Sequence, residues 1–136
     1  MSQEIVLKLD DPKADIETVG GKGASLTRLV HAGFPVPGGF QVTTRAYRQF
    51  VSENELHAQI AEALEEVKIE KPSSLEDASQ TIRKAFMQAE IPDEIASSIV
   101  GAYGDIKGSK PAVAVRSSAT AEDLPTASFA GQQEYF

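Results

Sequence analysis

The 136-residue sequence predicts an α+β fold, with a small mixed β-sheet drawn from the two ends of the chain and a helical segment inserted at about residues 44–108. Three observations predict it. Near the N-terminus, Ile5, Leu7 and Leu9 recur at a period of two, the pattern of a half-buried strand. Near the other end, Ala112-Val113-Ala114-Val115 is apolar at every position, as a strand covered on both faces is. Between them, apolar residues recur at spacings of three and four, the helical period.

Taken in order, the first strand is Glu4–Leu9, and Asp10-Asp11-Pro12 ends it. Ile16–Val19 reads as a second short strand running into Gly20-Gly21. Gly23–Ala32 reads as a helix with Leu26, Leu29 and Val30 as its apolar stripe and Gly33 as its C-terminal cap. Phe34-Pro35-Val36-Pro37-Gly38-Gly39 is an extended loop, because each proline pushes its predecessor out of the helical region. Phe40-Gln41-Val42 reads as a strand, and Thr43 or Thr44 caps a helix carrying Tyr47, Phe50 and Val51.

Leu56, Ile60, Leu64 and Val67 fall on one helical face. Lys71-Pro72-Ser73-Ser74 breaks the chain, and Ser73 with Glu76 has capping-box spacing for a helix bearing Ile82, Ala85, Phe86 and Ala89. Pro92 suits the first turn of a further helix with Ile95, Ile99 and Tyr103, ending between Gly101 and Gly108. After the apolar run come Arg116-Ser117-Ser118, a turn through Pro125 and a strand-like stretch at 128–136. That stretch stops at Phe136 without a cap or turn signal, so a truncated C-terminus is expected.

Composition limits the functions open to the chain. There is no cysteine, which excludes a disulfide framework, a thiolate metal site and a cysteine nucleophile. His31 and His57 have no metal-ligand spacing and read as residues of polar helix faces. The net charge of −7 argues against nucleic acid and anionic membrane partners, since phosphate neutralisation dominates such binding. No apolar run approaches the ~20 residues that span a bilayer. No signal peptide is visible, and a cytoplasmic location is expected. An acidic chain that binds a small anion must concentrate its few cations at one place.

Two places qualify. Gly20-Gly21-Lys22-Gly23 sets three glycines around a lysine directly before a predicted helix, where backbone N–H groups and the helix dipole attract anions. The spacing is not that of a Walker A loop, and the same residues also suit a plain flexible turn with an exposed lysine. Arg116 follows the apolar run, at the strand end where open sheets bind ligands. Its planar fork of donors suits phosphate oxygens, and Ser117, Ser118 and Thr120 add hydroxyls. The competing reading is an ion pair with Glu122 or Asp123. Glu122 and Asp123 read as part of the turn before Pro125 rather than as a paired acid site, although Thr120 and Asp123 share capping-box spacing. Ser128-Phe129-Ala130-Gly131-Gln132-Gln133 combines small residues and amides as a phosphate-covering flap does.

Gly20-Gly21-Lys22-Gly23-Ala24-Ser25-Leu26, Ala32-Gly33-Phe34-Pro35-Val36-Pro37, Val115-Arg116-Ser117-Ser118-Ala119-Thr120-Ala121-Glu122-Asp123-Leu124-Pro125 and Ala127–Gln133 together resemble the N-terminal domain of the phosphoenolpyruvate synthase and pyruvate, phosphate dikinase family, to which rifampicin phosphotransferase is similar. The resemblance covers essentially the whole chain. It implies the N-terminal half of an ATP-grasp domain, with ATP as ligand. Lys22 and Arg116 match family residues that contact nucleotide phosphates, and Gly131 lies in the matching phosphate-covering loop. Where relatives often carry Thr, this chain has Tyr135, so that nucleotide contact is not carried over.

The resemblance further implies an ATP-dependent phosphotransferase that passes the β-phosphate to a histidine on another domain and then to pyruvate. The alternatives are a rifampicin phosphotransferase or a pyruvate, phosphate dikinase, and outside that class a non-catalytic nucleotide-binding or helical interaction module. No catalytic residue and no metal ligand is expected among these 136 residues. The Mg²⁺ ligands, the other ATP-grasp lobe, the phosphohistidine domain and the acceptor domain are expected downstream of residue 136, and residues 1–136 alone are expected to be inactive.

Overall fold

The structure is a computed structural model and describes residues 4–121. Its described residues form two strands and five helices, an α+β arrangement, and divide into two compact units. One unit holds the described residues up to Ala46 and from Glu94 onward; the other is Tyr47–Asp93.

In the first unit the N-terminal alternation buries Ile5 and Leu7 and leaves Lys8 exposed. Strand β1 (Val6–Lys8) pairs antiparallel with β2 (Phe40–Val42), with Leu7 opposite Gln41. Among the described residues this pair is the whole sheet, so it is antiparallel rather than mixed. The expected C-terminal strand is missing from it. Ala112–Val115 is not a strand, and Val113 and Val115 are 49% and 59% exposed. An apolar run becomes a strand only where neighbours take up its backbone hydrogen bonds. Here only an isolated bridge at Arg116 forms.

Ile16–Val19 also departs from expectation. It is the opening turn of helix α1 (Ile16–His31), and Asp15 is the reason. The Asp15 carboxylate accepts from the Thr18 N–H at 2.9 Å, while the Asp15 N–H donates to the Thr18 hydroxyl at 2.9 Å. This reciprocal capping box satisfies two donors that a helix start otherwise leaves open, which outweighs the strand preference of Ile16, Thr18 and Val19. The Thr18 backbone N–H, followed by its hydroxyl, holds the Asp15 carboxyl below the usual carboxylate range. At the other end, Gly33 N–H donates to the Val30 carbonyl at 3.0 Å and Phe34 N–H to Leu29 at 3.1 Å, the Schellman arrangement that the glycine predicted.

Leu7, Ala14 and Val19 form a buried cluster, with Ala24 packed against it. Gly23 lets α1 approach β2 closely: a Cβ there would overlap Gln41 Oε1. The buried Gln41 amide donates to the Thr27 hydroxyl at 2.9 Å, so neither polar group is left unsatisfied.

Helix α2 (Thr44–Glu53) starts where expected, with the Thr43 hydroxyl accepting from Ala46 N–H at 3.4 Å. In the second unit, α3 (Leu56–Glu65) and α4 (Pro72–Gln88) pack together. Val51 and Leu56 are almost fully buried, and Phe86 lies 6.4 Å from Tyr47 and 6.0 Å from Phe50 between ring centres. The Asn54 amide donates to the carbonyls of Phe50 and Glu90, both at 2.9 Å, and accepts from Glu90 N–H at 3.0 Å.

Two local expectations fail here. Val67 falls outside α3, which ends at Glu65, and Leu64 is 52% exposed. Ser73 does not cap α4 either. The helix starts with Pro72 in its first turn and no side-chain cap, and Ser74 takes the polar role instead. Its hydroxyl accepts from Lys68 N–H at 2.8 Å and donates to the Lys71 carbonyl at 2.6 Å, closing the turn that precedes the helix. Helix α5 (Asp93–Gly104) follows Pro92 and buries Ile95. From the last turn of α5, the Tyr103 hydroxyl donates to the Pro111 carbonyl at 2.7 Å.

Candidate functional site

Both cation-bearing segments of the sequence meet at one point of α1. The helix is kinked at Gly20, whose φ of 75° and ψ of 178° are not helical. A side chain is excluded there twice over. The positive φ disfavours one, and a Cβ would overlap Ser118 Oγ and lie 2.9 Å from Ala119 N. Across the kink, the Ser118 hydroxyl donates to the Val19 carbonyl at 2.7 Å and accepts from Gly23 N–H at 3.2 Å. Gly21 N–H donates to the Ala119 carbonyl at 3.0 Å. Three hydrogen bonds thus clasp residues 19–23 to residues 118–119.

The clasp carries two cations. Lys22 lies between Gly21 and Gly23 and is half-buried; Arg116 lies two residues before Ser118 and is exposed. Gly131, the third residue expected at the site, lies outside the described residues, as do Glu122, Asp123, the 128–133 flap and Tyr135.

The geometry corrects the chemistry expected of this loop. The N–H groups of Gly21 and Gly23 were anion donors in the sequence reading, but both donate within the protein. Ser118 was a phosphate donor, but its single hydroxyl proton goes to Val19. Ser118 instead joins the two segments that bear Lys22 and Arg116. Nothing in the local pattern marks Ser118 for that role, because its partners lie 95 and 99 residues away.

Other parts of the described structure have different chemistry. A groove of about 400 Å³ in the second unit is lined by Leu64, Leu75, Ala78, Ile82, Arg83 and Phe86 and is mostly apolar. His31 Nε2 sits 2.7 Å from the Asp10 carbonyl, and His57 is exposed. Among the described residues no group of three or more His, Cys, Asp or Glu is arranged to hold a metal ion. No helix of the described residues is long and apolar enough to cross a membrane.

Comparison with known proteins bears on the same stretch. Residues 16–136 match the model of the pyruvate phosphate dikinase AMP/ATP-binding domain, a match that begins at the first residue of α1. The chain is 46% identical to the phosphoenolpyruvate synthase of Aeropyrum pernix over 100% of its own length and 17% of that protein's. It is 45% identical to the phosphoenolpyruvate synthase of Pseudomonas aeruginosa, with 98% of this chain and 18% of that protein covered. For the probable phosphoenolpyruvate synthase of Methanocaldococcus jannaschii the figures are 43% identity, 99% and 12%. The chain thus spans under a fifth of the length of these curated relatives. With the clasped glycine segment and the arginine segment both inside the matched residues, the chain belongs to the pyruvate phosphate dikinase AMP/ATP-binding domain family.

Proposed function

We propose that residues 1–136 are the N-terminal lobe of an ATP-grasp domain, with a helical insertion at about 44–108, and that the lobe binds ATP through Lys22, Arg116 and Gly131. The observation that carries this reading is the clasp, which joins a lysine-bearing and an arginine-bearing segment in a chain of net charge −7. Cations gathered on adjoining segments favour a multiply charged anion, and guanidinium suits phosphate oxygens. Membership in an AMP/ATP-binding family supports the triphosphate as that anion.

The parent reaction is a phosphoryl transfer of the phosphoenolpyruvate synthase kind, in which the ATP β-phosphate passes to a histidine on another domain and then to pyruvate. The names of the relatives support pyruvate over rifampicin as acceptor. In such transfers the protein contributes positioning and charge stabilisation. Lys22 and Arg116 supply positive charge toward the phosphates. Magnesium, when bound, would neutralise further phosphate charge, and its ligands belong to other parts of the protein. A cytoplasmic, cysteine-free enzyme domain is consistent with this chemistry.

Nucleotide titration of the native polypeptide tests the reading. Lys22→Ala and Arg116→Ala should each weaken binding of a non-transferable ATP analogue by ~10-fold or more, the scale of a lost charge-assisted hydrogen bond. Wild-type affinity in both variants would sink it. Residues 1–136 alone should release no AMP from ATP, and robust turnover by them would refute the half-domain assignment.

A further inference from the structure

In a regular helix the Gly23 N–H bonds to the Val19 carbonyl, four residues earlier. Here one hydroxyl is bonded to both of those groups: Ser118 donates to Val19 and accepts from Gly23. The side chain has been spliced into a rung of the helical ladder, one of the few physical causes of a sharp kink. The rung two residues earlier is also opened. Gly21 N–H, whose helical partner would be the Glu17 carbonyl, donates to Ala119, and the Glu17 carbonyl receives the Thr44 hydroxyl at 2.7 Å. The Gly21 and Gly23 N–H groups and the Glu17 and Val19 carbonyls are thus all bonded to groups outside the helix. Gly20, spanned by both opened rungs, supplies the positive φ.

We infer that Ser118 is a positioning residue for nucleotide binding: by inserting into the Val19–Gly23 rung it keeps α1 open at Gly20 and holds Lys22 facing the segment that carries Arg116. This rests on the nucleotide-binding reading of Lys22 and Arg116 and adds to it a residue that does not touch the phosphates. Lys22 lies inside the opened rung, so its direction depends on whether the turn is open or closed. Gly20 is free to take either conformation. Without the hydroxyl, the Gly23 N–H and the Val19 carbonyl are left facing each other, and the turn can close into regular helix. Closure changes the backbone conformation on which the direction of Lys22 depends.

The test is a set of variants in the native polypeptide, read by calorimetric titration with a non-transferable ATP analogue and by thermal melting. Ser118→Ala should stay folded and bind the analogue ~5–10-fold more weakly, the scale of one to two neutral hydrogen bonds. Ser118→Thr, which keeps the hydroxyl, should restore most of the affinity. In a Lys22→Ala background, Ser118→Ala should add no further loss, because it acts through Lys22. If Ser118→Ala fails to fold, Ser118→Cys takes its place, since its weaker donor should give an intermediate loss in the same direction. Wild-type affinity in the folded Ser118 variant, or a full additional loss in the Lys22→Ala background, overturns the inference. Should Lys22→Ala and Arg116→Ala weaken binding while the Ser118 variant does not, the inference alone fails. Unchanged affinity in all three overturns the nucleotide reading beneath it.

Discussion

All ten glycines of the chain lie outside Tyr47–Asp93, whereas ten of its twenty carboxylates lie inside that unit against five of its thirteen cations. The helical unit thus holds −5 of the net −7, and the remainder of the chain is close to neutral. The difference extends to how each unit is held. Tyr47–Asp93 is held by aliphatic and aromatic side chains at helical spacing, such as Val51, Leu56 and the Phe86 contacts. The other unit is held at α1 by hydrogen bonds between residues nearly a hundred positions apart and by glycines that admit a second backbone. Both units bury apolar side chains, but only the unit that holds α1 also joins distant segments through backbone and hydroxyl hydrogen bonds among its described residues.

The largest way to break that contrast is in the core of the helical unit. Leu56→Ala empties a fully buried site and should cost ~2–5 kcal/mol. Hydrogen exchange should show protection lost across 47–93 and largely kept at Gly21 and Gly23. Equal loss in both places would mean that the chain unfolds as one body and that the contrast has no energetic content.

A matched pair of substitutions sharpens it further. Gly20→Ala forces a side chain into a positive φ and against Ser118 Oγ, for a cost of ~2–4 kcal/mol and loss of the clasp. Gly101→Ala makes the same chemical change inside α5, where nothing lies within 4 Å, and should stabilise by ~0.5–1 kcal/mol through helix propensity. Denaturant melts of the two variants should move in opposite directions, and a shift of the same sign would remove the special status of Gly20.

The smallest expected effect is at the start of α1. Asp15→Ala should cost ~1 kcal/mol at pH 7, the usual worth of an N-cap. The Asp15 carboxyl is held below its ordinary value by Thr18, so its contribution is complete above the unfolded carboxylate value of about 3.9 and is lost as pH falls through the lower folded value. The gap in melting temperature between wild type and Asp15→Ala should therefore be full at pH 7 and narrow at about pH 3. A gap independent of pH would show that charge plays no part in the cap.

Particular elements explain what was readable. The Leu29–Gly33 cap, the strands at β1 and β2 and the helices of 47–93 follow from residues within a turn or two of one another, and propensity reports on such neighbours. Ile16–Val19 was misread because its β-branched residues suggest a strand, while the deciding bonds are made by Asp15 and Thr18 at a helix boundary. Ala112–Val115 was misread because apolar composition indicates what a segment is able to bury, not whether neighbours exist to bury it.

By itself the sequence determined the α+β class, the helical stretch in the middle and the two short segments where cations gather, since each depends on composition and local spacing. Only the tertiary structure decided that those segments touch, that Gly20 is a kink and that the Ser118 hydroxyl bonds across it. The physical reason is range: a hydroxyl that replaces a helical hydrogen bond from 95 residues away leaves no periodic trace in the chain, and it is visible only where the two backbones meet.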